Sequence, residues 1–456
     1  MKKIIIISGL LLLAVQVNSQ GLGGLSPTAP APPPTPKSTY DTGETINITR
    51  SYSSTTNKGR TVVTNIESQA VYNNIQDPSD EPQRSKTFSR SFNIGRDDKI
   101  NISNIYGSII FKTWDKNEVK VDADIKAYAS TDEEAQKLID NVSISSSKNA
   151  DEAIFKTSMQ EPQGNWGSGS RNGKRWRREV KVYMTVYLPS NVALTASQQY
   201  GNIEMGDFSG PTALKVQYGK LTTGNLNNVN NFISAQYASV DMKDINKATI
   251  KQQYGSGLSI SSIGDLSLNA QYAVVRIGTI KRSANIKQQY GSGLSIESVD
   301  NLELNAQYAS VKLGTVKGDA NIKIQYGSGL SIEQVGNLSL TSQYTGVRIG
   351  RITGILTANA QYGSRLSLEK IEASSKMINI NAEYITVMLD FAPNYGGSLN
   401  VDTHYSGFKY GENINAKKMG DDDRGSSSSK EYSGTIGRGG PSNVKISAKY
   451  GSVTFK

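Results

Sequence analysis

Apolar and polar residues alternate along much of the chain, in short stretches that end on Gln-Tyr. One such stretch, residues 266–272, reads Leu-Ser-Leu-Asn-Ala-Gln-Tyr. Because successive side chains of a strand point to opposite faces, this alternation predicts a β-strand with one apolar and one wet face. Tyr272 shares parity with the leucines, so we expect the tyrosines to line the interior. Gln271 has the opposite parity and is expected to point outward.

The Gln-Tyr stretch recurs every 17 to 19 residues, a period typical of a β-solenoid. The predicted fold is all-β: a right-handed β-solenoid (β-helix) built from 18-residue Gln-Tyr units, with one short helix in the N-terminal part. Strands of neighbouring coils would lie about 4.8 Å apart, with tyrosine stacked on tyrosine and the glutamines forming a side-chain amide ladder. The repeated tyrosines are Tyr200, Tyr218, Tyr237, Tyr254, Tyr272, Tyr290, Tyr308, Tyr326, Tyr344 and Tyr362.

Alternate units differ by one residue after the tyrosine. In the units of Tyr254 and Tyr290 the first apolar residue follows Tyr by four positions (Leu258 and Leu294), whereas Val275 follows Tyr272 by three. An extra residue of this kind resembles a β-bulge. Bulges stack best on identical bulges, which favours a 36-residue coil with Tyr254 directly on Tyr290. The alternative is an 18-residue coil, which would place Lys251 and Lys287 beside Ser or Asn instead of stacking like charges.

Weaker copies of the pattern flank the regular units. A first, degenerate coil is expected around Tyr106-Gly107, and Tyr450-Gly451 is expected to close the rod. Between Tyr106 and the regular units, Ser130-Thr-Asp-Glu-Glu provides a helix cap followed by acidic first-turn residues. One short helix is therefore predicted there, covering an open end or edge of the sheet stack.

The N-terminal residues have the layout of a secretory signal peptide: Lys2 and Lys3 precede an apolar run that is too short to span a bilayer. The chain has no Cys, which excludes disulfides and a lipoprotein anchor. The predicted segments are a signal peptide (1–19), a Pro-rich linker (20–44), a polar, poorly ordered segment (45–84), a degenerate β region with the helix (85–190), regular repeats (191–390), and irregular C-terminal coils with a cap (391–456).

The net charge of +10, which falls to +8 once Lys2 and Lys3 are removed, indicates loose attraction to an anionic envelope surface. Export separates the protein from nucleic acid, so no nucleic-acid partner is expected. No segment of the mature chain is apolar enough to predict a transmembrane helix.

One stretch combines cations and aromatic residues at high density. Arg can hold a phosphate or carboxylate with two hydrogen bonds, and Trp can stack on a sugar face. A solvated loop is the plainer interpretation. The candidate anionic-ligand loop comprises Trp166, Arg171, Lys174, Arg175, Trp176, Arg177 and Arg178.

Candidates for catalysis or metal binding are sparse. The single histidine, His404, lies in an alternating strand and has no obvious partner. Asp421 to Asp423 offer oxygen ligands but lack the alternating ligands of a calcium loop. The carboxylates of the regular units are isolated along the chain. We therefore predict no catalytic residues, no metal site and no cofactor.

Several of these segments together resemble the putative adhesin family of bacterial, Bacteroidetes-type envelope proteins with β-helical repeats. The resemblance rests on Ile-Asn-Ile-Ser-Asn-Ile-Tyr-Gly-Ser-Ile (100–109), the helix start at Ser130, Val-Tyr-Leu-Pro-Ser-Asn-Val-Ala-Leu (186–194) and the repeated Tyr-Gly-x-x-Leu-x-Ile units. It covers residues 85 to 456 and implies a β-helical surface or envelope domain without known catalytic residues. The strict Gln-Tyr columns depart from that family's pattern.

The sequence thus predicts a secreted, non-enzymatic adhesin or envelope-associated binding protein that presents a repetitive β-solenoid surface. Its expected partners are glycans and cell-surface or envelope components, and its expected location is the cell surface, the outer membrane or the periplasm. The alternatives are a structural envelope or matrix protein and a polysaccharide-processing β-helix enzyme. A converging set of carboxylates would favour the enzyme.

Overall fold

The computed structural model describes residues 82–160, 166–171, 174–419 and 428–456, together with 56–57 and 60–61. The expected signal peptide, the Pro-rich linker, most of the polar segment and Asp421 to Asp423 lie outside the described residues. Within the described ranges the chain is nearly all β, with stacked parallel coils and one short helix. The predicted β-solenoid class is confirmed.

Among its described residues, the N-terminal part contains nine strands and the helix. They are β1 (Thr56–Asn57), β2 (Arg60–Thr61), β3 (Gln83–Asn93), β4 (Lys99–Thr113), β5 (Glu118–Tyr128), α1 (Asp132–Asp140), β6 (Val142–Lys148), β7 (Glu152–Met159), β8 (Gly167–Arg171) and β9 (Lys174–Leu188).

The regular coils follow. Their strands are β10 (Ala193–Met205), β11 (Thr212–Gln217), β12 (Lys220–Thr223), β13 (Asn231–Gln236), β14 (Ser239–Gln253), β15 (Gly257–Gln271), β16 (Val274–Gln289), β17 (Gly293–Gln307), β18 (Ser310–Gln325), β19 (Gly329–Gln343), β20 (Val347–Ile352), β21 (Leu356–Gln361), β22 (Arg365–Ile371), β23 (Met377–Glu383) and β24 (Thr386–Phe391).

The C-terminal coils are less regular. Their strands are β25 (Gly397–His404), β26 (Gly407–Tyr410), β27 (Ile414–Met419), β28 (Ser429–Ile436), β29 (Ser442–Lys449) and β30 (Ser452–Phe455).

Each regular coil contains one Gln-Tyr unit, so the predicted 36-residue coil is wrong. Strands β14 to β19 each wind through almost a whole coil and pair in parallel with the next strand in the chain. Tyr254 accordingly stacks on Tyr272 at 5.0 Å, not on Tyr290. In this arrangement Lys251 pairs with Asn269, so lysines do not stack on lysines. Avoidance of like charges was the reason for considering the 18-residue coil.

The extra residue of alternate units is compensated within the same coil. Leu258 pairs with Val275, 17 residues on, but after a register shift Leu266 pairs with Ala284, 18 residues on. In the next strand pair, β16 with β17, the partner of Val275 lies 19 residues later in the chain. After a second register shift, paired residues are again 18 positions apart. A unit that has the extra residue after its tyrosine therefore has one residue fewer at the next bend of the coil, where the register shifts. Coils with bulges at different places can thus stack without a change in coil length.

The core is a set of aliphatic columns inside the coils. One column alternates Ile and Leu in successive coils, and each of its residues is at most 2% exposed. Each such side chain stabilises the fold by about 1.5–3 kcal/mol through burial. This aliphatic column consists of Ile250, Leu268, Ile286, Leu304, Ile322 and Leu340.

The N-terminal end of the stack is closed by antiparallel strands. β4 pairs in parallel with β10, which confirms the degenerate coil around Tyr106, and β7 and β9 pair with the two halves of β4 as the outermost coil. Beyond them β6 pairs antiparallel with β7, β5 with β9, and β3 with β5. Pairing of this kind protects edges that would otherwise template association with other chains.

The predicted helix is confirmed as α1. Thr131 is its N-cap and accepts a hydrogen bond from the Glu134 N–H at 3.2 Å. Ala135, Leu138 and Ile139 are buried as the helix packs against β3 and β5. The helix therefore covers the antiparallel N-terminal strands.

At the C-terminal end the order of coils in space differs from their order in the chain. β29 and β30 pair with β23 and β24 on one side and with β25 and β26 on the other. Tyr450 consequently lies between Tyr384 and Tyr405. Beyond the coil of Tyr405, β28 pairs antiparallel with β25, and β27 pairs antiparallel with β28. The expectation that Tyr450-Gly451 closes the rod is wrong, because the coil of Tyr405 lies outside it.

In the part of the chain that the structure describes, no helix has the length and hydrophobicity that a bilayer crossing requires.

Candidate binding surface

Fourteen tyrosines form one continuous stack along the solenoid. Consecutive ring centroids lie 4.7–5.3 Å apart, with interplanar angles of 4–12°. At about 5 Å per coil the stack is about 65 Å long. This tyrosine ladder consists, in spatial order, of Tyr106, Tyr200, Tyr218, Tyr237, Tyr254, Tyr272, Tyr290, Tyr308, Tyr326, Tyr344, Tyr362, Tyr384, Tyr450 and Tyr405.

Every ladder tyrosine has a left-handed backbone, with φ between 48° and 58°. Across the described residues, no other residue except glycine has a positive φ. From Tyr218 onward the preceding strand ends one residue before the tyrosine, as β15 does at Gln271. The Tyr272 N–H donates to the Gln289 carbonyl of the next coil at 3.0 Å. A left-handed conformation costs a residue with a Cβ about 1–2 kcal/mol, so each coil stores strain at this corner.

The prediction that the tyrosines line the interior is therefore wrong. Strand parity does not extend through the left-handed residue, and the residue after the tyrosine enters the core instead, as Ala273 and Ala309 do. Tyr308 is 40% exposed and Tyr326 is 48% exposed. The sequence contained one signal for this turn: Gly or Ala follows most of the repeated tyrosines, and Gly is typical of turns.

The ladder presents ring edges and hydroxyl groups to solvent, because neighbouring tyrosines cover the ring faces. The ring edge carries partial positive charge, and the hydroxyl can donate or accept a hydrogen bond. Burial, with a smaller contribution from the neighbouring phenols, raises the pKa of Tyr218, Tyr272 and Tyr384. The hydroxyls of these three tyrosines therefore remain protonated at neutral pH and can donate hydrogen bonds.

The glutamines beside the tyrosines point outward and form the predicted amide ladder. In most coils the glutamine Nε2 donates to the Oε1 of the next glutamine, at 2.7 to 3.3 Å. The last member, Gln361, donates to the Glu383 carboxylate. All these bonds run in the same direction, and each amide has a second N–H that is not needed by the ladder. This glutamine ladder comprises Gln217, Gln236, Gln253, Gln271, Gln289, Gln307, Gln325, Gln343 and Gln361.

Two aromatic side chains extend the tyrosine ladder at its ends. The Trp166 ring lies 5.4 Å from Tyr106 at the N-terminal end. At the other end the His404 ring meets Tyr405 edge-on at 4.6 Å, and its Nδ1 lies 2.7 Å from the Ser429 hydroxyl. Neither contact could be found from the periodicity, since both residues lie outside the Gln-Tyr units.

The candidate anionic-ligand segment forms a hairpin of β8 and β9 rather than an open loop. The Arg177 guanidinium lies 3.5 Å from the Tyr128 ring centroid, and its Nε donates to Glu179 at 2.5 Å. Arg178 lies 3.6 Å from the carboxylate of Glu134 in α1. Two of the cations are thus engaged within the molecule, and Trp166 belongs to the end of the tyrosine ladder. The side chains of Arg171, Lys174 and Arg175 lie outside the described part.

The carboxylates of the regular coils are engaged singly. Asp265 pairs with Arg282 at 2.8 Å, and Asp319 accepts a hydrogen bond from the Asn337 amide at the same distance. Within the described ranges no group of three or more His, Asp or Glu residues could hold a metal ion. The surface features with the greatest extent are therefore the tyrosine and glutamine ladders.

No protein-family model and no curated protein sequence matches the chain. Among solved structures, a putative cell adhesion protein from Clostridium sporogenes aligns over 82% of this chain and 99% of its own, with 7% identity and a TM-score of 0.16. A putative adhesin from Parabacteroides distasonis aligns over 81% and 97%, with 10% identity and a TM-score of 0.17.

A putative lipid binding protein, also from Parabacteroides distasonis, aligns over 81% of this chain and 96% of its own, with 9% identity and a TM-score of 0.16. The chain is thus similar, at very low identity, to structures named as adhesion or lipid-binding proteins. At TM-scores this low, neither family membership nor a role transfers to this chain.

Proposed function

We propose that the chain is an exported, non-enzymatic adhesin or envelope-associated binding protein, and that the tyrosine ladder with the adjoining glutamine ladder is its binding face. The observation that carries this proposal is a column of left-handed tyrosines, each at least partly exposed, that is repeated in every coil from Tyr106 to Tyr405. The proposed partners are glycans or other components of cell surfaces and envelopes.

Energetics support a binding role for this column. A stacked aromatic pair contributes about 0.5–1.5 kcal/mol, which is close to the cost of one left-handed tyrosine. Repeating the tyrosine therefore adds little net stability, yet it leaves an aromatic stripe in solvent. Tyrosine is enriched at binding interfaces because it offers a large, rigid contact area at low entropic cost.

The β8–β9 hairpin is proposed as an additional contact for anionic surfaces. Its cations lie close together in the sequence. Attraction between exposed cations and an anionic surface is screened over about 8 Å at physiological ionic strength, so this binding should weaken as salt rises. Replacing Arg175, Arg177 and Arg178 by Ser should weaken binding to acidic glycans or membranes at low salt. Equal binding by the parent and this variant would remove the hairpin from the proposal.

A structural envelope or matrix protein is the second candidate function. It is favoured by the unidirectional hydrogen bonds of the glutamine ladder, which join successive coils through their side chains. A structural protein of this kind needs no ligand, so a measurement of binding separates the two candidates.

The deciding experiment compares the parent chain with a double variant, Tyr272→Asn with Tyr308→Asn, in binding to whole bacterial cells and to a glycan panel. Asn tolerates the left-handed conformation, so the coils should remain folded, which circular dichroism would verify. Tyr183→Asn is the matched control, since Tyr183 is 42% exposed but lies on β9, outside the ladder.

We expect the double variant to lose binding and the control to retain it. If the parent binds no cell or glycan, the structural candidate is favoured. If the double variant binds as well as the parent, the ladder is not the binding face.

A further inference from the structure

Four lysines form a regular row beside the glutamine ladder. They occupy one outward column of the strand runs that lead into the tyrosines, and each is exposed. The pairing register places one uncharged residue between successive lysines, so they recur every second coil, about 9.6 Å apart. This lysine row consists of Lys215, Lys251, Lys287 and Lys323, and the residues between its members are Ser234, Asn269 and Asn305.

The lysine row has no matching row of carboxylates. In the described ranges none of its four members has an ion-pair partner within 4.0 Å. The adjacent outward column lies two residues before the lysine row in each strand and runs from residue 249 to residue 357. Its one carboxylate is Glu303, which accepts a hydrogen bond from Asn285 at 2.8 Å. This face therefore carries a net positive charge along the tyrosine ladder.

The face on the other side of the tyrosine ladder is different. It also carries a cation in every second coil, at Arg276, Lys312 and Arg348. The coils between these cations, however, carry glutamates on the same face, such as Glu333 and Glu369. Arg348 forms an ion pair with Glu369 at 2.5 Å. That face is balanced in charge and provides a natural control surface.

Three parallel columns thus make one strip: the lysine row, the glutamine ladder and the tyrosine ladder. Lysine provides a cation every second coil, whereas glutamine N–H groups and tyrosine hydroxyls recur in every coil. A groove of about 950 Å³ lies on the side of the lysine row away from the tyrosine ladder, but its lining contains three carboxylates, Asp265, Glu303 and Asp319, against one cation, Lys247. An anionic ligand is therefore expected on the strip rather than in the groove.

We propose that the strip binds an extended acidic polysaccharide that lies along the solenoid, with a carboxylate or sulfate on every second sugar. This inference rests on the proposed binding function and names its ligand class. A pyranose in an extended chain advances by close to one coil spacing, so each sugar would meet one glutamine and one tyrosine. An acidic group on alternate sugars would then meet each lysine in turn, and the weak single contacts would add through multivalency.

The test measures binding of the full chain to hyaluronan decasaccharide, which has one carboxylate per two sugars, by calorimetry at low salt. A chitin oligosaccharide of similar length is the neutral probe. Three variants are compared with the parent: Lys251→Asn with Lys287→Asn and Lys323→Asn; the charge-conserving exchange Lys287→Asn with Asn305→Lys; and Lys312→Asn on the balanced face. Circular dichroism verifies that the exposed substitutions leave the fold intact.

We expect the triple variant to lose about tenfold or more in affinity and the Lys312 variant to lose none. The exchange keeps the net charge but makes the lysine spacing uneven, so it should also weaken binding severalfold. Parent-like affinity of the exchange variant would overturn periodic recognition, and parent-like affinity of the triple variant would remove the lysine row from the site.

Two further outcomes separate this inference from the proposed function. Equal binding of the neutral probe would overturn the acidic ligand class. If the parent binds cells but not the acidic probe, the inference fails while the proposed function stands. If it binds neither cells nor any glycan, both fail.

Discussion

The aliphatic column and the tyrosine ladder both place one residue in every coil at the same spacing, but their environments are opposite. The residues of the aliphatic column are 0–2% exposed and lie in extended strands. Ladder tyrosines such as Tyr308 are about half exposed and have a left-handed backbone. The same repetition therefore produces a buried aliphatic column with an unstrained backbone and a solvent-exposed tyrosine ladder with a strained backbone.

The difference between these columns separates stability from recognition. Each buried aliphatic side chain contributes about 1.5–3 kcal/mol, whereas stacking and backbone strain nearly cancel in each ladder tyrosine. The aliphatic columns would hold the coils together even if the ladder were replaced. The ladder is thus the column whose chemistry can be adapted to a ligand at little cost in stability.

The largest effect is expected from the aliphatic column. Ile322→Ala should lower the free energy of unfolding by about 2–5 kcal/mol, because Ile322 is fully buried and its loss leaves a cavity. Chemical denaturation measures the change, with Ile322→Val as a control that should cost about 0.5–1.5 kcal/mol. A cost for Ile322→Ala below that of a ladder variant would reverse the comparison.

A smaller effect is expected from the ladder. Tyr308→Ala removes the stacks with Tyr290 and Tyr326 and should cost about 1–3 kcal/mol. Tyr308→Gly should cost less than Tyr308→Ala, because glycine adopts the left-handed conformation without strain. Both variants are compared by the same denaturation experiment. If glycine proved worse than alanine, the tyrosine corner would not be strained in solution.

The smallest effect is a pH dependence of the ladder. Burial raises the pKa of Tyr272 and Tyr384, so the folded chain binds these protons more tightly than the unfolded chain. Their contribution to stability is therefore complete below about pH 10, the ordinary pKa of tyrosine, and is lost as the pH rises through the folded-state value. Ultraviolet titration of phenolate should show later ionisation in the folded chain than in urea. Coincident titration curves would contradict this.

Much of the fold followed from the sequence because its determinants are local and periodic. The Gln-Tyr period indicated the solenoid, the acidic residues after Thr131 indicated the helix, and the parity of Gln271 placed the glutamines outside. These inferences depend only on neighbouring residues or on a repeat that every coil shares.

The coil length and the tyrosine orientation could not be obtained in the same way. A chemical repeat of 36 residues exists, since bulges and lysines alternate between coils, but the compensating shift near Ile263 lies at a different corner from the extra residue. The tyrosine orientation depends on a left-handed φ that strand parity cannot reveal. The position of Tyr450 depends on which distant strands pair, which no local pattern records.

The interleaved C-terminal coils impose an order on assembly. The outermost coil, formed by β25 and β26, has no parallel partner until β29 and β30 have been inserted between it and β24. A chain that folds progressively as it is synthesised or exported therefore leaves residues 397–410 without these partners until a further 45 residues, 411–455, have emerged. The coil of β25 and β26 is thus the last to pack onto the stack, although it precedes β29 and β30 in the chain. This end of the solenoid can be complete only after the strands up to Phe455 have folded.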